Sequence, residues 1–481
     1  MAHLYISAPQ KSSGKTTLSI GLCRALRARG LSVQPFKKGP DYIDPLWLTQ
    51  AAGRTCLNLD FNTMSRAQIA DVFARELAGA DLGLIEGNVG LFDSTDLAGE
   101  NSNAALAKQL GSPVVLTVDC QGLARGIAPL LLGYQAFDPE LRIAGVLLNK
   151  VGGERHAANL IRTVEHYTDL PILGTLPRDP RLVIAERHLG LMPSNESADA
   201  ETWIETIAHR IADRVDLDRL LALAEHAAPP ASPRPLPDLA APDGPPLRIG
   251  IARDSAFGFY YPDDLRALAR GGAQLVAFSP IDDPELPGVD GLFLGGGFPE
   301  CRMEALESNR SMRASVAAFV ARGGPVYAEC GGLMYLCSSL RWGERRCRMV
   351  GAIDAEVEMR AEPQGRGYVR LRETSDFPWP SLDAETPREI PAHEFHHSAI
   401  VAPRAHWTYA YEVLRGVGID GRHDGIVQGN LLACYAHLRD VAGNGWTRRF
   451  LSHVRSCRAG RSVRGDMPQE RAGVTLGEPR A

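Results

Sequence analysis

Short apolar runs recur through the first half of the chain, at residues 3–8, 33–36, 82–86, 113–119 and 143–148. They are continuous rather than alternating, as strands are when both faces of their sheet are covered. The segments between them carry helical spacing. Over 16–29, Leu18, Leu22 and Leu26 fall on one face, and Gly30 stands where a helix would end. Alternating strand and helix predicts a parallel sheet. The second half repeats the style, with short apolar runs at 247–252, 275–278, 291–294 and 325–328 separated by Gly-rich turns and helix-length segments. The expected fold class is α/β in both halves, and ligands of such sheets bind at the carboxyl ends of the strands.

Between the halves, eight prolines fall from Pro229 to Pro246. Proline fixes φ and withholds a donor, so this stretch reads as an extended linker. The expected organisation is a domain at 1–225, a linker at 226–246 and a second domain at 247–455. Residues 456–481, with five arginines, three acids and almost no apolar periodicity, read as a disordered tail. No internal repeat is found.

Composition narrows the function. The chain of 481 residues is 44% hydrophobic and 23% charged, which excludes wholesale disorder. A formal net charge of −5 argues against a nucleic-acid partner. No apolar run is long enough for a membrane helix, and the N-terminus lacks an export signal. Nine scattered cysteines without a CxxC pair suit neither a disulfide framework nor a zinc site. A reduced, cytoplasmic, multidomain protein is expected, with a homodimer left open.

Four motifs carry chemistry, each just past a strand. Ser12, Ser13, Gly14, Lys15, Thr16 and Thr17 lie between a strand and a helix, where backbone N–H groups would cradle the phosphates of ATP. Lys15 would reach the β/γ oxygens and the Thr16 hydroxyl would ligate Mg²⁺. The full pattern has glycine where Pro9 stands, and an ordinary Ser/Gly turn is the alternative. Next, FKKGPDYIDP (36–45) brings Lys37, Asp41 and Asp44 to a Gly-Pro turn. The carboxylates could hold Mg²⁺ and a lysine could neutralise a transferred phosphoryl group, although such turns are often merely solvated. Third, Glu86 ends an apolar strand and would complete the metal shell opened by Thr16. Asn149, at another strand end, is either an adenine contact or the start of a turn.

The fourth motif is AECGGLMYL (328–336), a strand running into Cys330, two glycines and a helical segment. This is a nucleophile elbow with cysteine in place of serine. The N–H after the thiol, on Gly331, and a Gly-rich loop containing Gly296 and Gly297 would bind an oxyanion. A thiol nucleophile needs a base. His437 is preferred, because it closes the apolar run 426–437 and should sit at a strand end. The cluster His393, His396 and His397 would position substrate, build an interface or lie on a surface loop.

These stretches, together with IEGNVGLFD (85–93), AFGFYYPDDL (256–265), GGGFPE (295–300) and HEFHHS (393–398), resemble the cobyrinate a,c-diamide synthase family from Leu4 to about Arg439. The resemblance implies a dethiobiotin-synthetase-like P-loop domain followed by a class I, flavodoxin-like glutamine amidotransferase domain. It implies release of ammonia from glutamine at Cys330 and His437. It also implies ATP-dependent activation of a tetrapyrrole polycarboxylic acid as an acyl phosphate, and amidation of its a and c acetates. On this pattern Thr16, Glu86 and Asp41 would hold Mg²⁺, with Lys15 and Lys37 on the phosphates and Asp41 and Asp44 orienting the carboxylate or the metal. Many class I glutaminases carry Glu two residues after the histidine, but here that position is Arg439, so the third member of the thiol site is unassigned. Relatives that amidate sirohaem or sirohydrochlorin rings look much alike. A different class, a P-loop ATPase switch with a non-catalytic glutaminase-like module, would carry an extra lysine where Gln10 stands.

Overall fold

The computed structural model describes residues 1–465 apart from 183, 185, 188–189, 236–244, 382–388, 405 and 442–443. The first half forms a sheet of seven strands: β1 Ala2–Ser7, β2 Val33–Lys38, β3 Leu57–Leu59, β4 Leu82–Glu86, β5 Val114–Asp119, β6 Ile143–Val151 and β7 Ile172–Pro177. They lie in the order β3-β2-β4-β1-β5-β6-β7, and every pairing is parallel. All six residues of β2 are buried, including Lys37 and Lys38. Two charges inside a sheet need partners: Lys38 donates to Asn88 Oδ1 at 3.2 Å, and Lys37 finds its carboxylates in the site below. The helix after β1, α1, spans Lys15–Ala28 and buries Leu18, Leu22 and Leu26, as the spacing predicts. Its outer side is covered by Ile204, Ile207 and Ile211 of the helix Ala200–Arg214.

The second half forms a nine-stranded sheet that is parallel on one side only. Ala273–Phe278, Leu247–Ala252, Gly291–Leu294, Val326–Glu329 and Leu431–Cys434 run parallel in that order. His423–Gln428, Thr408–Arg415, Gly365–Glu373 and Glu389–His396 continue it antiparallel. The run 426–437, read as one strand, is therefore a hairpin. Gly429, at φ 60°, turns the chain between two strands, and His437 lies beyond the second.

The proline-rich segment has neither helix nor strand over 226–235, and the rest of it up to 244 lies outside the described residues. One boundary is corrected: the last helix runs from Trp446 to Gly465, past the expected end of structure at Arg455. Trp446, Phe450, Leu451 and Val454 anchor it in the core of the second half. Arg455 donates to the Gly271 carbonyl at 2.7 Å and Arg458 to the Pro245 carbonyl at 3.2 Å, so side-chain bonds carry the helix onward after its apolar stripe ends. The tail expected after it lies outside the described residues from 466.

The two halves meet through specific contacts. Arg439, fully buried, donates to the Asn58 carbonyl at 2.7 Å and pairs with Asp263 at 2.7 Å. Asn62 reaches the Ala392 carbonyl at 3.0 Å, and Asn195 the Asp254 carbonyl at 2.8 Å. Tyr42 leaves the first half altogether and stacks on Phe259 of the second, ring centroids 5.5 Å apart. Among the described residues no helix is long and apolar enough to cross a membrane.

Candidate active site

The carboxyl ends of β1, β2 and β4 converge because β4 lies between the other two in the sheet. The loop after β1 enters α1 through Gly14, which is left-handed at φ 90°. Ser12 is also left-handed (φ 59°), and its carbonyl accepts from Lys150 at 2.8 Å. Ser13 donates to the Gln10 carbonyl at 2.9 Å, and Thr17 to the Leu182 carbonyl at 3.4 Å. The Asn149 side chain donates to the Ser13 carbonyl at 2.8 Å, so its amide braces the loop while the residue lines the cleft. Lys15 folds back onto the Val89 carbonyl at 2.6 Å. Burial, then the nearby Lys37, pull its ammonium down to about 8.

Past the loop, four of the expected groups form one cluster. The Thr16 hydroxyl donates to Glu86 at 2.8 Å and lies 3.2 Å from Asp44. The Lys37 ammonium contacts Asp44 at 2.5 Å and Glu86 at 2.8 Å, with Asp41 at 3.8 Å. Burial alone would push Asp44 up, but Lys37 overrides it and holds the carboxyl below its usual range. Glu86, deeper, is raised by burial despite Lys37. Asp41 turns back and accepts the backbone N–H groups of Ile43 and Asp44, capping the helix Ile43–Ala52. Glu86 Oε2 is buried without a hydrogen-bond partner among the described residues. An orphaned carboxylate oxygen beside a Thr hydroxyl and a second carboxylate is a hard, all-oxygen donor set that suits Mg²⁺. Among the described residues there is no group of three or more His, Cys, Asp and Glu that could hold a metal ion.

The second half brings the thiol. Cys330 follows Val326–Glu329 with φ 45° and ψ −99°, a conformation unusual for a residue with a side chain. The turn is tight: a side-chain carbon on Gly332 would stand 2.2 Å from the Leu294 carbonyl oxygen. Gly331 opens the helix Gly331–Leu336, so its N–H has no partner within that helix. The expected oxyanion loop packs on the same turn, and a Cβ at Gly331 would meet the Gly297 nitrogen at 3.0 Å. Gly296 lies against His437, with room for no side chain before its Cε1 at 2.7 Å.

His437 is buried beside Cys330, and its Nδ1 lies 3.1 Å from Glu329. Burial would lower its pKa, but hydrogen bonds to Cys330 and Glu329 raise it to about 10. Glu329, the residue before Cys330, is not singled out by the sequence. It is fixed by Tyr327 Oη at 2.6 Å and the Leu438 N–H at 2.9 Å. Arg439, where an acid was sought, is used instead to dock the two halves.

Both sets of groups line one cleft of about 760 Å³, which also takes in His393, Phe395, His396 and His397. Tyr42 crosses it, its ring 5.0 Å from that of His437. This pairing of a phosphate loop with a thiol–imidazole–carboxylate site defines a class, a glutamine-dependent ligase with a nucleotide-binding half. Residues 6–191 match the CobQ/CobB/MinD/ParA nucleotide binding domain, and 248–442 match the CobB/CobQ-like glutamine amidotransferase domain. A cobyrinate a,c-diamide synthase of Magnetococcus marinus is 48% identical over 92% of this chain and 95% of its own length. Those of Methanosarcina acetivorans (42%, over 91% of this chain and 92% of its own) and Archaeoglobus fulgidus (40%, over 93% and 96%) are also similar. The chain belongs to the cobyrinate a,c-diamide synthase family.

Proposed function

We propose that the chain converts the a and c acetate carboxylates of a corrinoid acid of the cobyrinate type into amides, using ATP and glutamine. The observation that carries this reading is the single cleft, lined by a phosphate loop with a carboxylate cluster and by Cys330 and His437, the latter backed by Glu329.

At the thiol side, Cys330 attacks the glutamine amide carbon, with the oxyanion facing the N–H groups of the Gly296–Gly297 loop and Gly331. His437, oriented by Glu329, gives the leaving nitrogen its proton, so ammonia departs and a γ-glutamyl thioester remains. Water then releases glutamate. At the P-loop side, the γ-phosphoryl of ATP passes to a substrate carboxylate, giving ADP and an acyl phosphate. Lys15 and Lys37 face the charge that develops, and Asp41 and Asp44 orient the acceptor. Ammonia attacks the acyl carbon, phosphate leaves, and a proton is shed to form the amide. Thr16 and Glu86, with Asp41 nearby, would hold Mg²⁺, which would neutralise phosphate charge when bound.

The thiol site speaks against an ATPase switch with an inert module, since such a module has no use for a buried imidazole held between a carboxylate and a thiol. Nine free cysteines fit the reducing cytoplasm. Purified protein should be given ATP, glutamine and, separately, cobyrinate, sirohaem and sirohydrochlorin, and the products weighed. A diamide from cobyrinate alone is expected. A diamide only from a sirohydrochlorin-type ring would move the assignment to that substrate, and ATP hydrolysis without any amide would favour the switch.

A further inference from the structure

His393 belongs to neither set of groups yet lines the cleft that they share. Its backbone forms an antiparallel bridge with His437, through His437 N–H to the His393 carbonyl at 2.7 Å and the reciprocal bond at 3.3 Å. Directly opposed residues in such a bridge present their side chains on the same side, and the two imidazoles are 6.1 Å apart. Tyr42, carried by the loop that also carries Asp41 and Asp44, lies against both imidazoles, its ring centroid 6.5 Å from that of His393 and 5.0 Å from that of His437. His393 is 9% exposed and lines the shared cleft, and its Nδ1 is buried without a hydrogen-bond partner among the described residues.

Ammonia made at Cys330 is useful only while it keeps its lone pair, and a stray proton turns it into an inert ammonium ion. The neighbouring imidazoles divide that problem between them. Hydrogen bonds to Cys330 and Glu329 hold a proton on His437, raised to about 10. Burial, then the proximity of His437 and His396, push His393 down to about 3, so at neutral pH it is an uncharged imidazole with one ring nitrogen able to accept.

We propose that His393 is a positioning residue for ammonia transfer, its imidazole accepting a hydrogen bond from the ammonia that leaves Cys330 and directing it past Tyr42 to the carboxylate at Lys37 and Asp44. No covalent step is added: one molecule of ammonia is handed on unchanged. The inference rests on the amidation reading above.

The test is a coupling ratio, from which a general loss of turnover cancels. Unlabelled glutamine and excess isotopically labelled ammonium are supplied together, and glutamate, amide and label in the amide are measured. The native protein should give glutamate and amide in equal amounts with little label. In His393→Leu the glutamate-to-amide ratio should rise at least about twofold and label should enter the amide, because the route no longer holds ammonia in place. His393→Gln, which keeps a neutral acceptor and guards against a folding artefact in the leucine variant, should restore much of the coupling. Equal glutamate and amide without label in both variants overturns the proposal. So does slowed alkylation of Cys330 by iodoacetamide, which would make His393 part of the thiol's own base system. If the native protein makes no amide from either nitrogen source, the amidation reading fails instead.

Discussion

Glu329 and Cys330 are consecutive, yet the carboxylate of one and the thiol of the other both reach the His437 imidazole, with a sharp turn of the chain at Cys330. The predicted thiol–imidazole pair has a measurable signature. With His437 raised to about 10, the imidazolium persists through neutral pH and favours the thiolate beside it. His437→Ala should therefore slow alkylation of Cys330 near neutral pH and cut glutamine hydrolysis about 10²–10⁴-fold, the range of general acid–base catalysis. The same group predicts a stability profile. Its folded pKa lies above its ordinary value of 6.5, so the stabilisation is fully present below about 6.5 and is lost as pH rises toward about 10. The melting-temperature gap between the native protein and His437→Gln should shrink across that window. An unchanged gap would mean that the imidazole is not held charged. Glu329 escaped the sequence reading for a physical reason. A third member was sought two residues after His437, whereas the fold supplies it from the parallel neighbour strand, where Glu329 pairs in register with Cys434.

At the scale of elements, the apolar runs mark the parallel strands well, because a strand covered on both faces has little room for polar residues. They mark the antiparallel side of the second sheet poorly. Gly365–Glu373, for example, places exposed arginines between buried residues. The loop-bearing ends were legible because Gly, Lys and acids cluster there against an apolar background. The clash of strand and elbow gives a prediction of its own. A methyl at Gly332 would stand 2.2 Å from the Leu294 carbonyl oxygen, a backbone atom that cannot swing aside. Gly332→Ala should cost about 1–3 kcal/mol, as overpacking does. By displacing the turn it should also depress glutamine-dependent activity more than ammonium-dependent activity. Equal losses in both assays would indicate a general fault in folding.

Across the whole molecule, the division of labour between the two halves sets the decisive comparison. In the proposed mechanism Cys330 would make ammonia without acting on the acceptor carboxylate, whereas Glu86 and Lys15 would act on phosphoryl transfer whatever the source of nitrogen. Cys330→Ala should thus abolish amidation with glutamine but retain it with ammonium salts. Glu86→Gln and Lys15→Ala should lose it with both, by about 10²-fold or more, the scale for one preorganised charged group. Glu86→Gln is the sharper of these variants. It preserves volume and can still meet Thr16 and Lys37, but it removes the charge that the buried, unpartnered oxygen would bring to a metal. If Glu86→Gln turns over normally with ammonium, Glu86 serves only to balance Lys37 inside the sheet. If its loss is partly relieved by raising Mg²⁺, the carboxylate belongs to the metal shell, because a weakened site can be refilled by mass action.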